Sequence, residues 1–298
     1  MPTPQNEPGT PAVSAGIEGP LAVRTTVASA ASGDHLPPVI LLHGFASSGD
    51  DDFTATGWPR TFADAGHTTH VIDLPGHGHS PAVTDAASGT TTSVVGAIVA
   101  AIEALGADQV DVVAYSLGAR LAWELPAAST GRVRRMVLGG LSPFEPFTAV
   151  DLDALRRLTG VGVGADADTT GTDPHVAMDA DPAATATDPR TGMDADAIPT
   201  ATDPLTGMMA AMVSAPGADT ASLVALIAGL GSEPFAPEAG APDVPVLFVA
   251  GSEDPMSGGI DQLVAAVPGA AIVRVPGDHR GALDSAEFRA AAVAFLGE

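Results

Sequence analysis

The sequence predicts an α/β protein built on a mostly parallel sheet with helices on both faces. Short, mainly apolar runs alternate with longer helical patterns, and the runs end at Gly, Pro or the start of a turn. Unbroken runs of this length suit strands buried on both faces, the mark of a parallel sheet; strands buried on one face alternate apolar with polar. Strand following helix following strand then implies crossovers that lay helices on the two faces.

Pro37-Pro38 introduces the first run, 39–42, which closes at His43-Gly44. The run 71–74 ends at Pro75-Gly76, 110–114 leads into Tyr115-Ser116, and 133–138 ends at Gly139-Gly140. Toward the C-terminus, 246–250 stops at Gly251 and 272–275 at Pro276-Gly277. Helical patterns fall roughly at 91–105, 117–125, 260–267 and 286–296. Residues 1–20, rich in Pro, Gly and Thr, are expected to form a flexible tail.

The alternation breaks between about 142 and 242. Within that gap a 15-residue unit occurs three times, beginning at Thr172, Thr187 and Thr202: TDPHVAMDADPAATA, TDPRTGMDADAIPTA and TDPLTGMMAAMVSAP. Three short copies with few large apolar residues cannot bury a core of their own, so an expanded low-complexity loop is the favoured expectation over 172–216. A lid is the alternative, with Met178, Met193 and 208–212 as adaptable apolar contacts beside a pocket. The stretch 220–230 is apolar and helical and is expected to pack back on the core.

The chain has 298 residues, 36 of them acidic and 12 basic, for a net charge of −24; every basic residue is Arg. That balance excludes nucleic acid and anionic membrane surfaces as partners, since both require a basic face. From 161 to 220 there are ten Asp and one Arg, which concentrates −9 of the charge in the gap segment. The hydrophobic fraction of 45% is enough for a sizeable core, and zero Cys removes disulfides, thiol nucleophiles and thiolate metal sites. Neither a secretory signal nor an apolar run of spanning length is visible, so a cytoplasmic location is expected. The oligomeric state is left open.

The residues that carry chemistry begin with Ala114-Tyr-Ser-Leu-Gly118. A serine between a buried strand and a helix can be held in a sharp turn with its hydroxyl raised above the sheet. Small residues two before and two after it relieve backbone clash, here Ala114 and Gly118. Its hydroxyl needs a His base, and the base needs an orienting carboxylate. Asp254 lies just past one strand and His279 just past the next, and parallel strand ends open at one edge, where distant residues converge. Glu253, Asp278 and Glu145 compete with Asp254 for the acid role. The oxyanion donors are expected to be the backbone N–H groups of Phe45 and Leu117. His43 is expected to brace the Phe45 loop, His77 and His79 to structure theirs, and Arg120 to be structural. A metal site from His67, His70, His77 and His79 fits no common zinc spacing, and neither metal nor cofactor is implied.

The strings LLHGF (41–45), DLPGHGHS (73–80), AYSLGAR (114–120), GSEDP (251–255) and GDHRGAL (277–283) together resemble the serial motifs of the α/β-hydrolase fold superfamily. The resemblance covers about 21–142 and 241–298. It implies an eight-stranded, mostly parallel sheet with a helical cap inserted after the sixth strand, at 143–240. Gly57-Trp58, SLGAR and LGGLSP are similar to bacterial serine hydrolases with an esterase-like triad; SLGAR and DLPGHGHS are also similar to the pyruvate-eliminating enzyme of menaquinone synthesis. The implied activity is a cofactor-independent serine hydrolase cleaving a small or medium ester or related acyl compound through an acyl-enzyme. The alternatives are a carbon–carbon bond hydrolase or pyruvate-eliminating lyase on the same triad, and a non-catalytic ligand-binding protein of this fold. Epoxide hydrolases and haloalkane dehalogenases of the superfamily use Asp as nucleophile, against which Ser116 argues.

Overall fold

The computed structural model describes residues 17–29, 36–162 and 203–298. The elements run β1 (Val23–Thr26), β2 (Val39–Leu42), α1 (Trp58–Asp64), β3 (Thr69–Ile72), α2 (Thr91–Ala104), β4 (Val110–Tyr115), α3 (Leu117–Ala122), α4 (Leu125–Ala128) and β5 (Val133–Gly139). Then follow α5 (Leu152–Thr159), α6 (Pro204–Val213), α7 (Thr220–Ser232), β6 (Val246–Gly251), α8 (Ile260–Ala266), β7 (Ala271–Val275), α9 (His279–Asp284) and α10 (Ala286–Leu296).

Seven strands form one sheet in the order β1-β3-β2-β4-β5-β6-β7, with β1 antiparallel to β3 and every other pairing parallel. Two expectations are corrected. The sheet among the described residues has seven strands and not eight, and the helical insertion follows the fifth strand and not the sixth. The six apolar runs became the six parallel strands, and only one further strand, the polar edge strand β1 (VRTT), precedes them. The count of eight rested on the resemblance alone.

Side chains alternate across the sheet with the two-residue period of a strand. Ile40, Leu42, Val112, Ala114, Leu138 and Phe248 face the layer containing Ile98, Leu121 and Ile227 of α2, α3 and α7. Val39, Leu41, Val113, Val137 and Val249 face Trp58, Phe62, Phe288 and Leu296 of α1 and α10. Each such side chain withdrawn from water contributes about 1.5–3 kcal/mol. Trp58 closes the second layer: its ring meets Phe288 edge-on at 4.9 Å and its Nε1–H donates to the Leu283 carbonyl at 3.3 Å.

The third copy of the repeat departs from the loop expectation. Asp203 caps α6 by accepting the Thr206 N–H at 2.9 Å, and Pro204 occupies the first turn, where its missing N–H costs nothing. Met209 and Val213 are buried in the first layer, and the Thr206 hydroxyl accepts the Asp151 N–H at the start of α5. The other two copies, and residues 1–16 of the expected tail, lie outside the described residues. Among the described residues no helix is long and apolar enough to cross a membrane.

Candidate active site

Ser116 occupies the single residue between β4 and α3, at φ +53° and ψ −114°. A non-glycine residue at positive φ is strained by about 1–3 kcal/mol, and such strain is held only where the surroundings dictate it. Here they do. The Ser116 N–H donates to the Gly139 carbonyl at 2.9 Å, the Gly118 N–H donates to His43 O at 3.0 Å, and a Cβ on Gly118 would run into the Leu42 and His43 carbonyls. The smallness of Gly118 is thus set by β2 passing directly beneath it.

His279 begins α9 just past β7, and Asp254 follows β6. The imidazole bridges the other two side chains, with Nε2 3.0 Å from Ser116 Oγ and Nδ1 2.8 Å from Asp254 Oδ2. Asp254 also accepts the Met256 N–H at 2.9 Å and the Ser257 hydroxyl at 3.0 Å. Burial opposes ionisation of this carboxyl, but the hydrogen bond and charge of His279 together with those two donors outweigh it, so its pKa lies below the usual value. An ionised Asp254 accepts from Nδ1–H, which leaves Nε2 as the acceptor for the Ser116 hydroxyl. The Tyr115 hydroxyl donates to the His279 carbonyl and fixes the start of α9; burial and the Asp254 charge raise its pKa, so it stays a donor.

The competing carboxylates are engaged elsewhere. Asp278 caps α9 through the Gly281 N–H at 2.8 Å, Glu253 is exposed, and Glu145 pairs with Arg120 at 2.6 Å. That pair is buried. Arg120 also reaches the Thr91 hydroxyl and the Leu230 and Glu233 carbonyls, while Glu145 accepts the N–H groups of Phe147 and Phe235.

The loop after β2 is held from three sides. His43 accepts the Leu74 N–H on Nε2 at 2.9 Å and donates from Nδ1 to Gly44 O at 2.7 Å. His77 accepts the Ala46 N–H on Nε2 at 3.0 Å and donates from Nδ1 to Pro75 O at 2.9 Å. Burial lowers both pKa values, that of His77 to about 3, so both rings are neutral braces with both nitrogens occupied. The third holder, Asp52, takes the Gly44 N–H at 2.9 Å and pairs with Arg280, the residue after His279. Sequence reasoning missed both: Asp52 sits in an undistinguished run of three Asp, and its partner is 228 positions away. Of the remaining histidines, His67 contacts the Pro37 carbonyl, His70 the Thr25 hydroxyl, and His79 lies exposed 3.6 Å from Asp73.

A cavity of about 370 Å³ opens beside Ser116 and His279. Phe45, Leu117, Leu141, Phe147 and Phe235 line it together with Met208, Met209 and Met212 of α6. Four of the eight methionines in the chain, counting Met256, face this space.

Fold and site together define an α/β-hydrolase fold carrying the contacts of a serine-hydrolase triad. Residues 37–168 match the family model described as alpha/beta hydrolase fold. Among solved structures, a hydrolase from Pseudomonas aeruginosa is similar at 19% identity and a TM-score of 0.63, over 93% of this chain and 94% of that one. A thermophilic esterase from Thermogutta terrifontis, solved with malate bound, is similar at 18% identity and TM-score 0.62, over 93% of each chain. The enol-lactonase from Burkholderia xenovorans is similar at 16% and 0.62, over 93% of this chain and 96% of that one. These likenesses establish the fold. A search of curated proteins finds no match.

Proposed function

We propose that the protein is a cofactor-independent serine hydrolase that cleaves uncharged esters or lactones with an apolar acyl part. The observation that carries this reading is the unbroken Asp254–His279–Ser116 hydrogen-bonded chain at the mouth of an apolar cavity. Ser116 Oγ attacks the carbonyl carbon as His279 Nε2 takes its proton. Asp254 holds the imidazole in the required tautomer and stabilises the imidazolium. The collapsing intermediate expels the alkoxide, which His279 protonates. Water, deprotonated by His279, then releases the acid and restores Ser116.

The backbone N–H groups of Phe45 and Leu117 serve as oxyanion donors in this reading. Neither has a hydrogen-bond acceptor among the described residues, whereas the neighbouring Gly44 and Gly118 N–H groups are taken. The segment 143–240 acts as the cap, with α6 supplying the wall that selects the acyl group.

An ester is favoured over carboxylate-bearing substrates, such as a pyruvate-eliminating enzyme requires, by the state of Arg120. It is the one Arg lining the cavity among the described residues, and Glu145, Thr91 and two carbonyls already occupy its guanidinium. The net charge of −24 acts in the same direction. The test is labelling of wild type and Ser116→Ala with a fluorophosphonate probe, beside turnover of p-nitrophenyl esters, vinylogous diketones and the menaquinone precursor. Ester turnover and labelling that vanish in Ser116→Ala support the reading. An unlabelled, inactive wild type points to a binding protein, and preferential turnover of the diketone or the precursor points to the alternative chemistry.

A further inference from the structure

Asp52 raises an electrostatic problem. Its carboxylate is buried, with the side chain only 2% exposed, and it organises the loop after β2 by accepting the Gly44 N–H at 2.9 Å and the Ser47 hydroxyl at 2.5 Å. A Cβ built on Gly44 would lie 3.5 Å from Asp52 Oδ2 and 3.9 Å from Ser116 Oγ. The carboxylate and the serine therefore flank one glycine. A full negative charge stands one residue's width from the place where the proposed reaction develops a second one. Unneutralised, it would oppose the oxyanion in a poorly solvated site, where charges interact far more strongly than in water.

Arg280 answers that charge. Its Nη1 pairs with Asp52 Oδ1 and its Nη2 donates to the Asp51 carbonyl at 3.0 Å, so two parallel contacts hold the guanidinium over this turn. The other carboxylate facing it, Asp284, is more distant at 3.9 Å and exposed. Arg280 also follows His279 directly in the chain, so the same ion pair joins the loop of the oxyanion donors to the helix that bears the base.

We infer that Arg280 is a positioning residue that neutralises Asp52, letting this carboxylate shape the oxyanion loop without opposing the oxyanion. The inference rests on Ser116 being the nucleophile. Arg280 acts on the transition state and not on the bound acyl group, so its loss falls on kcat.

The experiment compares wild type, Arg280→Ala, Arg280→Lys, Asp52→Asn and the double variant Asp52→Asn/Arg280→Ala with p-nitrophenyl butyrate, alongside thermal melts. Arg280→Ala is expected to lower kcat about 10- to 100-fold with KM within about threefold, part of what losing a direct oxyanion donor costs. Arg280→Lys keeps the charge and recovers part of the loss. Asp52→Asn/Arg280→Ala removes the unpaired charge while retaining an acceptor for the Gly44 N–H, and returns kcat to within about fivefold of wild type. A purely structural tie predicts the reverse, with the double variant no better than Arg280→Ala. That result, or an Arg280→Ala enzyme with unchanged kcat, overturns the inference. Should Arg280→Ala fail to fold, Arg280→Gln alone and combined with Asp52→Asn is read the same way. If the wild type neither labels nor turns over, the nucleophile reading fails and the inference with it; an active wild type with an indifferent Arg280→Ala removes only the role of Arg280.

Discussion

The two walls of the cavity are built in different ways. On one side Ser116, Asp254, His279 and Phe45 sit at the carboxyl ends of parallel strands, each within a residue or a short turn of the strand's end. On the other side Met208, Met209 and Met212 hang from α6, which is part of an insertion and reaches the core through its own apolar face. The sheet edge tolerates almost no latitude: Gly118 admits no Cβ and Ser116 is held at positive φ. The methionine wall offers unbranched, polarizable side chains that repack readily. In the proposed function chemistry and selectivity thus reside on supports of different stiffness, and substitutions in the two should separate accordingly.

The largest effect belongs to the sheet edge. Ser116→Ala is expected to lower kcat about 10⁴- to 10⁶-fold, and Asp254→Asn about 10⁴-fold through the wrong imidazole tautomer, with little change in KM. Steady-state turnover of p-nitrophenyl butyrate measures both. A Ser116→Ala protein within tenfold of wild type would remove the triad from the account.

Next comes the joint between the two walls. Glu145 lies in the chain leaving β5, pairs with Arg120 of α3, and accepts the Phe235 N–H beyond α7, so it ties both ends of the segment between β5 and β6 to the helix that follows Ser116. The side chains of the pair are 6% and 8% exposed, and removing one partner strands a buried charge. Glu145→Ala is expected to cost about 3–5 kcal/mol in urea denaturation, far above the value of a surface pair. A loss below about 1 kcal/mol would mean that Arg120 finds water or another acceptor.

The same contrast explains what could be read from the residues alone. Interior strands demand mainly apolar residues, so β2 and β4 to β6 were visible within a residue or two, and β3 lay two residues upstream of its predicted run; the edge strand β7 was visible because Ile272, Val273 and Val275 are apolar all the same. The turn carrying Ser116 demands small residues at set positions, and Asp254 and His279 follow directly on two successive strand runs, which made the three legible in order. β1 was not legible, because an edge strand pairs on one side only and needs no apolar run. α6 was hidden for another reason. Its Asp-Pro start recurs in two copies that run on into Met-Asp-Ala-Asp, so the helix-start signal was present but the uninterrupted apolar continuation belongs to the third copy alone. The pairing of Asp52 with Arg280 has no local pattern at all.

A smaller, pH-dependent effect tests the bracing of the loop after β2. The folded-state pKa of His77 is lowered to about 3 by burial and by the neighbouring His43. The unfolded chain, with an ordinary histidine near 6.5, therefore binds more protons between about pH 6.5 and pH 3. Stability is fully present above that window and declines as pH falls through it, at up to about 1.4 kcal/mol per pH unit for each such group. Urea midpoints between pH 7 and pH 4.5 should fall in the wild type and fall less steeply in His77→Gln, whose baseline is lower because the Ala46 N–H brace is altered. Parallel slopes in the two proteins would mean that His77 takes up its proton in the fold at the same pH as in the unfolded chain.

The smallest expected change, and the sharpest separation of the two walls, is at Met212. Its side chain lines the cavity from α6 and carries no group that can exchange a proton. Met212→Ala enlarges the acyl side of the cavity while leaving the Ser116 turn intact. Each methylene that a pocket gains or loses discriminates by about 1–3 kcal/mol, so the ratio of kcat/KM for the octanoate over the acetate p-nitrophenyl ester should rise about tenfold. The rate of fluorophosphonate labelling should stay within about twofold, because that reaction depends on the sheet edge and hardly on the acyl pocket. A change in labelling without a change in chain-length preference would show α6 to be part of the catalytic support, and the division between a stiff chemical wall and a soft selective one would fall.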